Sequence, residues 1–191
     1  MQATLDIITE RVGLTKDCFQ TPDYATEVIL PLLERDWAVL DPCCGKGNIV
    51  YCLRRNGFKA FGHDIQGESE YSPFAKADFL DNSIKYSDID CIITNPPYSC
   101  YGEFLARCVE IGKPFALLVP DSFADSLERL KTFQLAPCDI IYPPHRIAFE
   151  TPTGRTGSDS KPQMLTVWIT RGLPIERLQA TFGRVAFLKK M

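Results

Sequence analysis

The chain has 191 residues, 45% of them hydrophobic and 24% charged, with a formal net charge of −3. Those values fit a single globular domain with enough chain to bury a sizeable core. No apolar run approaches the ~20 residues of a membrane span, and the start Met1-Gln2-Ala3-Thr4-Leu5-Asp6 is neither a basic nor an apolar signal region, so the expectation is a cytoplasmic, intracellular protein.

Taken in chain order, helical spacing over 23–34 follows Thr21-Pro22, and a strand is predicted over 37–41. That strand runs into Asp41-Pro42-Cys43-Cys44-Gly45-Lys46-Gly47, after which 47–56 has helical spacing. Glycines at such a turn let the backbone bend tightly and let a ligand approach it closely, which is the logic of nucleotide-binding first turns. The full dinucleotide fingerprint is absent, because Val50 stands where its third glycine belongs. A phosphate loop is also absent: Lys46 lies between the glycines and no Gly-Lys-Ser/Thr follows.

A second strand, 58–63, runs into Asp64-Ile65, about twenty positions after the turn, where a carboxylate accepts from ribose hydroxyls in nucleotide-binding folds. A third, 74–77, runs into Asp78-Phe79; the acid there is placed to accept from an exocyclic amino group, and the ring to lie against a purine. For either acid taken alone, a loop-tip carboxylate or a helix cap is the commoner role.

The fourth strand, 89–94, ends in Asn95-Pro96-Pro97-Tyr98. Two prolines have no ladder donors, so the chain must leave the sheet and enter a stiff exposed loop. An amide and a backbone carbonyl held there accept hydrogen bonds from an amino group, and a tyrosine face stacks on a planar base. Helices over 101–112 and 122–134 and strands at 115–119, 138–142 and 164–170 complete a β/α alternation. Such alternation implies a largely parallel sheet with ligands at the strand C-termini.

Between the last two strands, Pro143 to Pro162 is rich in proline, glycine and hydroxyls, with little to bury, and reads as a long mobile loop. Its Arg146, Arg155 and Lys161 are candidate phosphate contacts; a tether without contacts is the other reading. The net charge hides an asymmetry. Residues 1–142 carry 13 Lys and Arg against 21 Asp and Glu, a balance of −8, and residues 143–191 carry 8 against 3, or +5. A basic end beside the presumed catalytic loop would provide a phosphate footprint.

Cysteines stand at 18, 43, 44, 52, 91, 100, 108 and 138, without a Cys-x-x-Cys pair, and the only histidines are His63 and His145. No metal is expected from that spacing, and reduced cysteines are the default.

From about Gln20 to Arg171 the chain resembles the S-adenosylmethionine-dependent methyltransferases that modify exocyclic amino groups, in particular small phage-type adenine-specific DNA methyltransferases. The resemblance rests on Asp41-Pro42-Cys43-Cys44-Gly45-Lys46-Gly47, Asp64-Ile65, Asp78-Phe79, Asn95-Pro96-Pro97-Tyr98 and the leading Thr21-Pro22. It implies a Rossmann-like fold: a mostly parallel seven-strand sheet with its last strand antiparallel, in one domain spanning 1–191. It implies S-adenosylmethionine held by Thr21, Pro22, Asp41, Cys43, Gly45, Gly47, Asp64, Ile65, Asp78 and Phe79. The catalytic group would be Asn95, Pro96, Pro97 and Tyr98, with Tyr98 stacked on a flipped-out base. The partner would be nucleic acid, DNA in preference to RNA. Similar tetrapeptides occur in enzymes methylating ribosomal RNA adenines and in those methylating a glutamine of release factors, so RNA and protein remain alternatives. Few residues precede Thr21, which disfavours the N-terminal helical domain that usually goes with the glutamine enzymes. The length also leaves no room for a large target-recognition domain. Oligomeric state is not readable.

Overall fold

The computed structural model describes residues 19–67, 74–124, 137–149 and 165–178. Seven strands form one sheet: β1 (Ala38–Asp41), β2 (Lys59–Asp64), β3 (Ala75–Lys76), β4 (Cys91–Thr94), β5 (Phe115–Pro120), β6 (Asp139–Ile141) and β7 (Thr166–Arg171). Their order across the sheet is β3-β2-β1-β4-β5-β7-β6. The first five strands pair in parallel, whereas β7 runs antiparallel to both β5 and β6.

Every residue of β1, β4 and β5 is buried, because both faces of the sheet centre are covered. Val39, Ile93, Leu118 and Trp168 pack on one face under α1 (Asp23–Glu27) and α2 (Asn48–Arg55). Leu40, Ile92, Leu117 and Ile169 pack on the other under α3 (Tyr101–Ile111). The Trp168 indole N–H donates to the Ala25 carbonyl at 3.0 Å and ties the antiparallel strand to α1.

The expected 23–34 helix is cut short. It ends at Glu27 and resumes as a 3₁₀ turn, Leu30–Leu32, because Pro31 has no N–H to donate and its ring clashes with the carbonyl four residues back. Most of the expected 122–134 helix lies outside the described residues; Asp121–Ala124 is a 3₁₀ turn.

The start of the 143–162 segment departs from the expectation of a loop with little to bury. Ile147 and Phe149 are 5% and 1% exposed, and the Ala148 N–H donates to the Tyr24 hydroxyl at 2.7 Å. Apolar side chains at alternate positions pin this stretch to the core, which its proline-rich neighbours had obscured. Among the described residues no helix is long and apolar enough to cross a membrane.

Candidate functional site

Strand β1 pairs with β2 on one side and with β4 on the other. Successive connections leave it in opposite directions, so a crevice opens above the C-terminal ends of β1 and β4, the place where open α/β sheets take ligands. The cleft there encloses about 1100 Å³ counting its open mouth. Its walls come from the leading segment Phe19–Thr21, the glycine turn, the ends of β2 and β3, the Asn-Pro-Pro-Tyr loop and the first turns of α3.

The glycine turn is built by its backbone. Gly45 and Gly47 have φ of +50° and +88°, in the left-handed region that side chains disfavour. Gly47 is the N-cap of α2 and donates its N–H to the Cys44 carbonyl at 2.7 Å. A Cβ on Gly45 would meet the Gln20 amide nitrogen at 2.8 Å. Gln20, 4% exposed, also accepts the Lys46 N–H at 3.1 Å and so closes the leading segment onto the turn.

Three acids stand at successive strand ends and line the cleft: Asp41, Asp64 and Asp78. Asp64 accepts the N–H groups of Gly45 at 2.9 Å and Gln66 at 2.8 Å. Asp78 accepts from Leu80 N–H at 2.9 Å, a short turn that fixes the carboxylate. Burial pushes the Asp41 carboxyl up to about 7, and hydrogen bonds from Thr94 and the Cys43 N–H oppose that rise. Glu103, exposed on the first turn of α3, adds a fourth carboxylate. No Lys, Arg or His lines the cleft among the described residues. Charged lining residues of one sign, all acidic, repel phosphate, so the glycine turn here suits hydroxyls, amino groups and a cationic ligand rather than a nucleotide's phosphates.

Asn95 directly follows β4 and lines this crevice. Its side-chain oxygen is buried with no hydrogen-bond partner among the described residues, an arrangement that costs about 1–3 kcal/mol unless a ligand donor fills it. Pro97 lines the cleft with it. Tyr98 stands half-buried beside the cleft, its ring edge-on to Phe149 with centroids 6.4 Å apart.

Of the residues expected at the cofactor site, Thr21, Asp41, Cys43, Gly45, Asp64, Ile65 and Asp78 line one cleft, together with Asn95 and Pro97. Pro22, Gly47, Pro96 and Tyr98 do not line it. The expected contact of Phe79 with a purine is corrected. Its ring is 2% exposed and turned into the core, 5.1 Å from the Phe104 ring and 5.5 Å from that of Tyr86. Ala77, Leu80 and Phe104 form the apolar wall instead. Arg146 is exposed; Arg155 and Lys161 lie outside the described residues.

Sequence reasoning missed Gln20, Cys100, Glu103 and Phe104. The last three carried a signal, since positions i, i+3 and i+4 share one face of a helix that begins just after the proline loop. It also missed Arg107, 6% exposed, which donates to the carbonyls of Phe79, Asp81 and Ile84 and so holds the irregular stretch below the apolar wall. Among the described residues no group of three or more His, Cys, Asp or Glu is placed to hold a metal ion.

No protein-family model matches the chain. No curated protein sequence matches it either. Solved structures do. The type I restriction-modification system methyltransferase subunit from Streptococcus thermophilus superposes with a TM-score of 0.59 at 14% identity, over 82% of this chain and 45% of that one. A Listeria monocytogenes protein assigned to the class I S-adenosylmethionine-dependent methyltransferases gives 0.54 at 15% identity, over 81% of this chain and 60% of that one. The chain therefore spans less than two thirds of either structure. Likeness at such identity carries the fold, which is the Rossmann-like fold of class I methyltransferases, with seven strands and an antiparallel β7.

Proposed function

We propose that this chain transfers a methyl group from S-adenosylmethionine to the exocyclic amino nitrogen of adenine in DNA. The observation that carries the reading is the buried, unpartnered side-chain oxygen of Asn95 beside a cleft walled by carboxylates. An acceptor without a donor, held in a stiff loop, is a place for an amino group. An acidic cleft with a glycine turn fits a cationic nucleoside, as the cofactor is. When bound, S-adenosylmethionine supplies an electrophilic methyl on a sulfonium.

The chain's own residues then bind and aim. Asp64 keeps carboxylate lone pairs for ribose hydroxyls, Asp78 faces the purine end, and Leu80 and Phe104 cover that end's faces. Thr21, Asp41 and Gly45 take the methionine end. Asn95 and the Pro96 carbonyl accept from the amino group of the target, which draws its nitrogen toward a tetrahedral, nucleophilic geometry. Tyr98 stacks on the base, which has to leave its helix to reach the cleft. Alignment and electrostatics in a dry pocket supply the rate, and no charged general base is needed because the amine loses its proton after attack.

The wider partner is DNA, met through the basic C-terminal end and the 143–162 segment, in a single domain over 1–191. The neighbour from Streptococcus thermophilus, a restriction-modification methyltransferase subunit, is in keeping with a nucleic-acid substrate. The test is transfer of radiolabelled methyl to unmethylated DNA, RNA and protein in parallel, followed by nucleoside analysis of the product. N6-methyladenine in DNA is the expected result. Label confined to RNA or to protein overturns the substrate. Asn95→Ala is expected to lose turnover and keep its cofactor affinity, and full activity in that variant overturns the amino-methylation reading.

A further inference from the structure

Cys43, the first cysteine of the glycine turn, reaches across the crevice to the end of β4. Its Sγ lies 2.9 Å from Thr94 Oγ1 and donates to the Asn95 carbonyl at 3.3 Å. Thr94 in turn bonds the Asp41 carboxyl. A backbone carbonyl only accepts, so the thiol is the donor toward Asn95; with the Thr94 proton given to Asp41, Thr94 Oγ1 is a second acceptor for the same thiol proton, which the two oxygens share. Burial, with Asp41 nearby, raises the Cys43 thiol well above its ordinary range, so that proton stays in place.

The position of these contacts matters more than their number. Pairing between β1 and β4 covers Val39 with Cys91 and Leu40 with Ile92, and goes no further. Beyond Ile92 the two strands part at the crevice, and on this side Thr94 and Asn95 have no ladder to hold them. The thiol takes over where the ladder stops. It holds the Asn95 backbone from the glycine turn, while the Asn95 side-chain oxygen stays buried without a partner at the cleft.

We infer that Cys43 is a positioning residue: its thiol couples the glycine turn to the Asn95 backbone, so that the turn lining the cofactor cleft sets the aim of the catalytic amide. The inference rests on the reading of Asn95 as the acceptor of the substrate amine. Removing the thiol leaves the backbone of the glycine turn and the strand-end acids at the cleft in place and lets Asn95 drift, and displacements of an ångström in an aligning group cost rate rather than affinity.

The experiment compares Cys43→Ala and Cys43→Ser with the parent, using S-adenosylmethionine and unmethylated duplex DNA. Cys43→Ala is expected to lower kcat about tenfold or more while the KM for S-adenosylmethionine moves less than about threefold. Cys43→Ser, which restores a donor, is expected to recover most of kcat. A second readout needs no substrate: the Cys43 S–H stretching band, isolated as the infrared difference between parent and either variant, should sit at the lowered frequency of a donating thiol and move in Thr94→Val. Parental kcat in Cys43→Ala, no recovery in Cys43→Ser, or a band at the frequency of a non-bonded thiol would overturn the inference. If Asn95→Ala is inactive while Cys43→Ala keeps parental kcat, only the coupling falls. If Asn95→Ala is itself fully active, the reading of the site falls with it.

Discussion

The Asp64 carboxylate accepts the backbone N–H of Gly45 at 2.9 Å, which locks the end of β2 to the glycine turn nineteen residues earlier. Its other oxygen accepts the Gln66 N–H at 2.8 Å. One side chain therefore both shapes the turn and walls the cleft, since a carboxylate has about four lone-pair sites and these bonds use two. The acid at this strand end is a structural anchor before any ligand arrives.

Asp64→Ala should accordingly do two things at once. Loss of acceptors for ligand hydroxyls should weaken S-adenosylmethionine binding by about 1–3 kcal/mol, measured by titration calorimetry. Stranding the N–H groups of Gly45 and Gln66 should lower the melting temperature in the absence of ligand. A lowered melting temperature with unchanged affinity would leave Asp64 as an anchor and remove it from the cofactor site.

Asp41 makes a prediction about pH. Burial raises its carboxyl from 3.8 to about 7. The folded chain then holds a proton that the unfolded chain has released between those values. This group's contribution to stability is therefore fully present below pH 3.8 and falls as pH rises to about 7, by up to roughly 1.4 kcal/mol per pH unit. Asp41→Asn keeps the shape and removes the titration, so its stability relative to the parent should rise steadily from pH 4 to pH 7. Urea denaturation at several pH values measures that difference, and a difference independent of pH would show that Asp41 does not titrate there.

The strands were legible because a parallel sheet buries them on both faces. Cys91-Ile92-Ile93-Thr94 is a continuous apolar run stopped by Asn95 and two prolines, and no surface strand reads that way. The cleft was legible because its polar groups sit where such runs stop. Phe79 was not. It follows a strand of only two residues, Ala75–Lys76, where period alone assigns no face, and its direction is set by Phe104 on a distant helix. Gln20 and Arg107 were invisible for a related reason. Each satisfies backbone groups of a segment remote in sequence, and neither belongs to a periodic pattern.

Gly47 offers a test of the turn itself. Its φ is +88°, and an added Cβ would meet the Phe74 ring at 2.3 Å, a ring already packed by Tyr51 and covered by the Arg54 guanidinium. Gly47→Ala should cost about 1–3 kcal/mol in denaturant unfolding, from backbone strain and displaced packing. Gly102 is the control. It lies in α3 with nothing within 4 Å of the place its Cβ would occupy, so Gly102→Ala should be neutral or stabilise by about 0.5–1 kcal/mol. Equal effects at the two positions would show that the left-handed turn is not what makes Gly47 costly to replace.

The charge asymmetry gives the last prediction. Residues 143–191 carry a balance of +5 whereas the charged residues lining the cleft are all acidic, so a polyanion has to be gripped outside the cleft and present only a base to it. Arg146 is exposed at the start of the segment whose first residues are pinned by Phe149, beside Tyr98. If Arg146, Arg155 and Lys161 grip phosphates, DNA affinity should fall steeply with salt, because each neutralised phosphate releases condensed counterions. Replacing the three together by Ala should then weaken DNA binding at low salt and flatten the slope of log affinity against log salt by about 2–3 units. Cofactor affinity should stay at the parent's value, because the glycine turn and strand-end acids are untouched. Fluorescence anisotropy with a labelled duplex across a salt series reads both quantities, and a triple variant with the parent's slope would show the segment to be a tether only.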